Sequence, residues 1–368
     1  MKNNSQDNIL KIADRFLRQG EISNIEAFGS GNINDTFLVK VNGSERKYFI
    51  LQRINSQVFP QPELVMQNMF ILTDRVRGKL EKMPLDRRWE IPQVLLTEDK
   101  QNYVRDNEGS FWRAISFIEG SQSFDTMQDT EQAQEIGYAL ATFHKLIEDL
   151  PADNLADTLP GFHITPLYLQ HYQKVLAKTS PFQSPEVNYC LQFISDRHLL
   201  AHVLENAKNE GKLPLRIMHG DPKINNVMFD TATNKAVSVI DLDTVKPGLI
   251  HYDIGDCLRS GCNLAGEETQ AWESVCFDTD LCQGILQGYL SVAKSFLTPN
   301  DRAYIHAAIR SIAFELGLRF FTDYLAGNIY FKVKHPEHNL ARALVQFKLT
   351  ESIESQERTI GKIIEDAI

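Results

Sequence analysis

The chain has 368 residues, of which 43% are hydrophobic and 23% charged, the make-up of an ordinary soluble globular protein with length enough for two lobes. Its net charge of −10 argues against a nucleic-acid or anionic-membrane surface. No apolar run approaches a membrane span, and the opening MKNNSQDNIL lacks a signal-peptide core. Five cysteines without a CxxC pair fit reduced thiols in a cytoplasm.

Residues 7–18 place Ile9, Ile12, Ala13, Phe16 and Leu17 at helical spacing. Strand-like runs follow at 22–28, 36–41 and 47–54, the first two joined by GSGNIND and the others by a loop with Asn42-Gly43. Residues 62–76 read as a helix with Pro62 in its first turn, and 89–96 and 110–120 as further strands. This is a small antiparallel sheet carrying one helix. Beyond about residue 120 the pattern turns helical, over 131–147, 187–208, 280–297, 301–327 and 339–366. One β-hairpin, at 226–243, interrupts it. The expected fold is α+β and bilobal, with a β-rich lobe over 1–118 and a mostly helical catalytic lobe over 119–368.

The chemistry is concentrated at HGDPKINN (219–226) and VIDLD (239–243). Gly, Asp, Pro and Asn together form turns, and HGD alone would mean no more. Phosphoryl transfer, however, needs a carboxylate to orient the attacking hydroxyl and oxygen ligands for Mg²⁺ bridging the phosphates. Asp221 can face the hydroxyl. Asn226, five residues on, can offer a carbonyl oxygen to the metal. The hairpin then returns Asp241 as the main metal carboxylate, and Asp243, two residues further on the same strand face, can assist.

HGDPKINN, VIDLD and YDIGD (252–256) resemble the aminoglycoside phosphotransferase and choline kinase group, relatives of the protein kinases. The resemblance implies a protein-kinase-like fold, with Asp221 as base, Asn226 and Asp241 on Mg²⁺, ATP as donor, and Asp253 holding the catalytic-loop backbone. Within the group, YFILQRIN (48–55) and FELGLRFFTDYLAGNIYFK (314–332) with HPEHNLARA (335–343) are similar to N-acetylhexosamine 1-kinases. This implies transfer to the C1 hydroxyl of an N-acetylhexosamine. Kinases of other small acceptors (aminoglycoside, choline, homoserine) and a nucleotide-binding pseudokinase are the alternatives.

The remaining candidates are softer. GSGNIND (29–35) is either a plain hairpin loop or a phosphate cover, in which Gly29 and Gly31 would let backbone N–H groups approach the phosphates. The resemblance places this loop near the sugar, making Asp35 a hydroxyl acceptor. The body of the third strand, FILQRI, carries no lysine. Arg53 is the natural substitute on the phosphates, paired with Glu63, or else a solvent-facing strand residue. In the matched C-terminal segment Arg319 and Tyr330, with Tyr324 as a third, are sugar-binding candidates or ordinary helix residues. His144 and His163 read as structural histidines. The expected partners are ATP and a small sugar, with no nucleic acid and no membrane.

Overall fold

The computed structural model describes residues 2–29, 33–179 and 183–367. Its N-terminal part is an antiparallel sheet of β1 (Glu21–Ala27), β2 (Asp35–Asn42), β3 (Tyr48–Ile54), β4 (Val94–Leu95), β5 (Val104–Arg105) and β6 (Phe111–Ser116). The order is β1-β2-β3-β6-β4, with β5 also on β6. Side chains alternate across it. One face buries Val39, Phe49, Leu51, Trp112 and Ala114 under Ile12 and Ala13 of α1 (Lys2–Asp14) and Phe16 just beyond it. The other packs Ile54 and Phe111 on Val65 and Met66 of α2 (Pro62–Lys82).

The strand expected over 89–96 shrinks to β4. Pro92 has no N–H for a ladder, and the Glu90 N–H instead donates to the Val237 carbonyl at 2.8 Å. The far side of α2 packs Met69, Leu72 and Val76 into the main helical core. There Asn68 donates to the carbonyls of Ala156 (2.8 Å) and Val245 (3.1 Å). The sheet's own helix is thereby fastened to the C-terminal part.

That part contains β7 (Ser121–Gln122), α3 (Thr130–Ile147), α4 (Thr165–Leu176), α5 (Pro185–Arg197), α6 (Val203–Asn209), β8 (Arg216–Met218), β9 (Val227–Asp230), β10 (Ala236–Val239), β11 (Lys246–Gly248), α7 (Ile250–Gly261), α8 (Thr279–Ala293), α9 (Pro299–Ala303), α10 (Ile305–Leu325), α11 (His338–Ser355) and α12 (Glu357–Asp366). β9 and β10 form the hairpin, with β7 on its free edge, and β8 pairs with β11. The turn at 117–120 therefore separates β6, in the first sheet, from β7, in the second.

α3 and α8 form the spine. They approach so closely that a Cβ on Gly288 would stand 1.9 Å from the Gln134 carbonyl oxygen. α4 and α7 escape the apolar-periodicity reading. α7 buries its polar side, with Asp253, Asp256 and Arg259, together with its apolar residues. No helix among the described residues is long and apolar enough to cross a membrane.

Candidate active site

β8 ends at Met218 and delivers the 219–226 loop. Gly220 has φ +89°, and a Cβ there would lie 2.8 Å from the Thr244 carbonyl oxygen, so the turn requires glycine. Asp253 of α7 accepts the backbone N–H groups of His219 (2.6 Å) and Gly220 (2.8 Å). It also meets His144 Nε2 at 2.8 Å, and His144 Nδ1 lies 2.9 Å from the Tyr289 hydroxyl. Asp253 and His144 thus hold the loop from below.

Burial keeps the pKa of His219 low, and its ring is neutral. Nε2 donates to the Ile240 carbonyl (2.9 Å) and Nδ1 accepts from the Asp221 N–H (3.2 Å). Asn226 donates its amide to the Asp221 carbonyl (2.8 Å), leaving Oδ1 without a partner among the described residues. The Ile240 N–H donates to the Asn226 carbonyl at 2.8 Å, which sets Asn226 beside the 240–241 turn.

Asp241 takes the left-handed conformation, φ 61° and ψ 58°. Asp tolerates it, and such residues cluster at functional turns. The carboxylate has no hydrogen bond or ion pair among the described residues. Solvent reaches it, yet protein encloses it closely enough to strip much of its hydration. That desolvation first, then the charges of Asp243 and Asp221, push its pKa up to about 7. Anions crowded in this way call for a cation. Among the described residues no three His, Cys, Asp or Glu side chains form a complete metal cage. Mg²⁺ needs none, because one or two protein oxygens with phosphates and water complete its shell, and Asp241 with Asn226 Oδ1 fits that demand.

The expectation for Asp243 fails for a local reason. β10 stops at Val239, Asp241 is left-handed and 242–244 is a 3₁₀ turn, so strand alternation no longer holds. Asp243 turns toward the sheet. It is buried in an ion pair with Arg113 of β6 and accepts from Asn34 Nδ2 at 2.7 Å. Its carboxylate is committed to the protein.

The N-terminal sheet corrects two further expectations. Arg53 lies on the α1 face with Leu51 and Trp112, paired with Asp35, its cross-strand neighbour. Neither residue touches the 219–226 or 241–244 turns. Glu63 pairs with Arg105, not with Arg53. The opposite face carries Gln52 and Arg113, directly paired in register, with Arg113 Nε donating to Gln52 Oε1 at 2.9 Å. In the 29–35 loop Gly29 has φ +76° and open space where a Cβ would sit. Gly31 lies outside the described residues. The residue that docks the loop is Asn34, whose Oδ1 accepts the Asn55 N–H at 3.0 Å while its amide reaches Asp243.

On the other side of Asp221 a second set converges. Lys223 Nζ lies 2.9 Å from Asp221 Oδ2, and Asp221, Asp256 and Asp241 hold its pKa high against burial. Asp256 pairs with Arg259 at 2.8 Å, and Arg259 reaches Glu267 at 3.4 Å. Burial raises the pKa of Asp256, but Arg259 and His163 outweigh it and hold the group below its usual value. Arg319 of α10 sits over the rings of Tyr168 (4.9 Å), Phe162 and Phe331 (5.5 Å each), with Glu315 one turn away at 4.0 Å. It makes no hydrogen bond among the described residues. Burial pushes the Tyr168 hydroxyl up to about 12, so it stays protonated beside Arg319.

Tyr330 is 67% exposed. Its loop is pinned by Asp323, which accepts the N–H groups of Ile329 (2.9 Å), Tyr330 (2.8 Å) and Phe331 (2.9 Å). Tyr324 departs from this group. Five residues beyond Arg319 is about 140° around a helix, and the ring packs in the cluster with Phe321 and Cys190.

Residues 24–283 match the phosphotransferase enzyme family, more than half of the chain. The chain belongs to that family. Its fold is shared with a microcompartment-associated aminopropanol kinase, at TM-score 0.63 and 16% identity over 95% of this chain and 98% of the other. An aminoglycoside phosphotransferase from Alicyclobacillus acidocaldarius gives 0.57 and 15% over 97% and 96%. A choline kinase from Cryptosporidium parvum gives 0.54 and 14% over 93% and 91%. The architecture is therefore the bilobal, protein-kinase-like one.

In this phosphotransferase Asp221, Asn226 and Asp241 come together as the spacing predicts, and Arg319 and Tyr330 lie near one another. Asp35, Arg53, Asp243 and Tyr324 serve elsewhere. Sequence reasoning missed Asn34, Arg113, Lys223 and Asp256. Only two left a signal. Lys223 stands two residues past Asp221, and Asp256 lies one helical turn past Asp253.

Proposed function

We propose that this phosphotransferase moves the γ-phosphoryl group of ATP to the anomeric C1 hydroxyl of an N-acetylhexosamine, releasing ADP and the sugar 1-phosphate. The observation that carries the acceptor assignment is Arg319. It is a guanidinium set among three aromatic rings, with Glu315 4.0 Å from Nη1 and no hydrogen bond among the described residues. Such a fork suits a planar oxygen acceptor such as an acetamido carbonyl. Exposed Tyr330 offers a ring to the sugar face. Among the carboxylates nearby Asp256 and Glu267 share Arg259, Glu315 faces His163 and Asp221 faces Lys223, and with Arg319 four cations stand against four carboxylates. A site so balanced favours a neutral acceptor over the cationic amino alcohols named for the structural neighbours.

In this reading residues 1–118 cover the nucleotide and 119–368 supply the base and the acceptor site. Asp221 orients the C1 hydroxyl and takes its proton as the oxygen bonds to the γ-phosphorus and the bond to the β–γ bridging oxygen breaks. Lys223, beside Asp221, faces the transferring group. Gly29, at the start of the loop, would face the phosphates. Asn226 and Asp241 would hold Mg²⁺, which neutralises phosphate charge when bound. The five cysteines are unpaired, which suits a reducing cytoplasm.

The test is ADP release across N-acetylglucosamine, N-acetylgalactosamine, glucose, an aminoglycoside, choline, ethanolamine and homoserine. The acetamido sugars should lead. Arg319→Met should raise their KM about tenfold or more, the scale of a lost charge-assisted hydrogen bond, and leave glucose unaffected. Preference for an amino alcohol would refute the acceptor assignment. No ADP release with any acceptor, despite ATP binding, would favour the pseudokinase.

A further inference from the structure

His163 is buried, and it joins two parts of the site that no single element connects. Its Nε2 lies 2.9 Å from the carbonyl oxygen of Gly220, the residue before Asp221. Its Nδ1 lies 2.8 Å from Glu315 Oε1. Glu315 is buried on α10 one turn before Arg319, and its Oε2 accepts from the Thr165 hydroxyl at 2.6 Å. A carbonyl oxygen can only accept. A carboxylate already taking a hydroxyl proton also accepts. Facing an ionised Glu315, the ring between them donates from both nitrogens, which only the imidazolium can do.

The backbone is committed to this arrangement too. His163 has φ +60°, a conformation that costs a non-glycine residue energy and is kept where the surroundings impose it. The ring stacks on Tyr252 of α7 at 5.3 Å. Gly220 is consequently held from both ends, its N–H by Asp253 and its carbonyl by His163.

We propose that His163 is a positioning residue that couples the acceptor side of the site to the catalytic loop, fixing Asp221 through the Gly220 carbonyl and Arg319 through Glu315. The proposal rests on the reading of Asp221 as base and Arg319 as acceptor anchor. The charged and titratable groups facing the ring are Glu315 from α10 and Asp256 and Tyr252 from α7, while the Tyr168 hydroxyl of α4 approaches the His163 backbone. Burial opposes the charge on His163, and the carboxylate of Glu315 outweighs it, so the pKa lies above its usual value. The bridge is complete below that raised value and is lost as pH rises through it. Activity governed by it falls on the alkaline side.

Three measurements test the coupling. In protein labelled with ¹⁵N-histidine, both ring nitrogens of His163 should be protonated at pH 7, and a neutral ring would overturn the proposal whether or not any acceptor turns over. His163→Asn keeps a side chain that tolerates φ > 0 and removes the bridge. It should lower kcat about tenfold to a hundredfold, the scale of a small misplacement of reacting groups, raise the acceptor KM, spare the ATP KM and abolish the alkaline decline. Glu315→Gln should reproduce the loss, and the double variant should be no worse than the poorer single one. Additive losses, or a His163→Asn enzyme with wild-type kcat, acceptor KM and pH profile, would overturn it. If wild-type enzyme turns over no acetamido sugar, the function reading fails on its own, and the ring protonation still decides the bridge.

Discussion

The proposed metal side and the proposed acceptor side of the candidate active site are built by opposite means. Asp221, Asn226 and Asp241 come from one loop and one hairpin within 23 consecutive positions, 219–241, and their neighbours fix them through short backbone bonds. The proposed acceptor side draws His163, Tyr168, Asp256, Arg259, Glu315, Arg319 and Tyr330 from three helices and two connecting segments. The first holds its shape by local geometry. The second depends on tertiary packing, with Asp256 paired to Arg259 and Glu315 to His163. In this reading the chemistry is confined to a compact unit and the acceptor is chosen by residues distant in sequence, a division of scaffold and specificity surface.

The comparison can be pressed from the strongest perturbation to the weakest. Asp221→Asn removes the base and leaves the loop bonds intact. Turnover should fall about 10²- to 10⁴-fold in steady-state assays, with ATP binding retained by calorimetry. Arg113→Met leaves Asp243 charged and buried without its partner. Denaturant melts should show a loss of about 3–5 kcal/mol, with part of it recovered by adding Asp243→Asn. A loss that small surface pairs also show would mean that the sheet is not braced on the metal turn.

Glu268 offers a pH test of the fold. Burial raises its pKa, but hydrogen bonds from Arg342, Lys334 and His338 prevail and bring it to about 2. Its stabilisation is present above the unfolded value and is lost as pH falls toward 2. The group is 44% exposed, so solvent screens much of it. Glu268→Gln should cost no more than about 1 kcal/mol at pH 7, and thermal melts of the two proteins should converge near pH 2. Arg53→Met should do least, because its pair with Asp35 is exposed on the α1 face. Stability should change by at most about 0.5 kcal/mol, and the ATP KM should hold. A large rise in that KM would return Arg53 to the phosphates.

These contrasts also show what the sequence could reveal. Period-2 runs were enough to place β1, β2, β3 and β6, and the 131–147 periodicity marked α3, because both ends of each pattern are local. The HGD and VID spacings were legible for the same reason. Face assignment was not. Arg53 and Gln52 are adjacent, and only the positions of α1 and α2 decide which of them looks toward Asp243. The left-handed turn at Asp241 has no signature beyond Asp itself, so Asp243 was assigned by a strand alternation that had already ended. His163 is one histidine in a loop, and its partners lie 57 and 152 residues away.

The most direct test of the central claim is the ³¹P spectrum of the product formed from ATP and N-acetylglucosamine. The account predicts a single new phosphomonoester coupled to the anomeric proton, absent with Asp221→Asn. Phosphate on another hydroxyl, or no sugar product while an amino alcohol is phosphorylated, would contradict it.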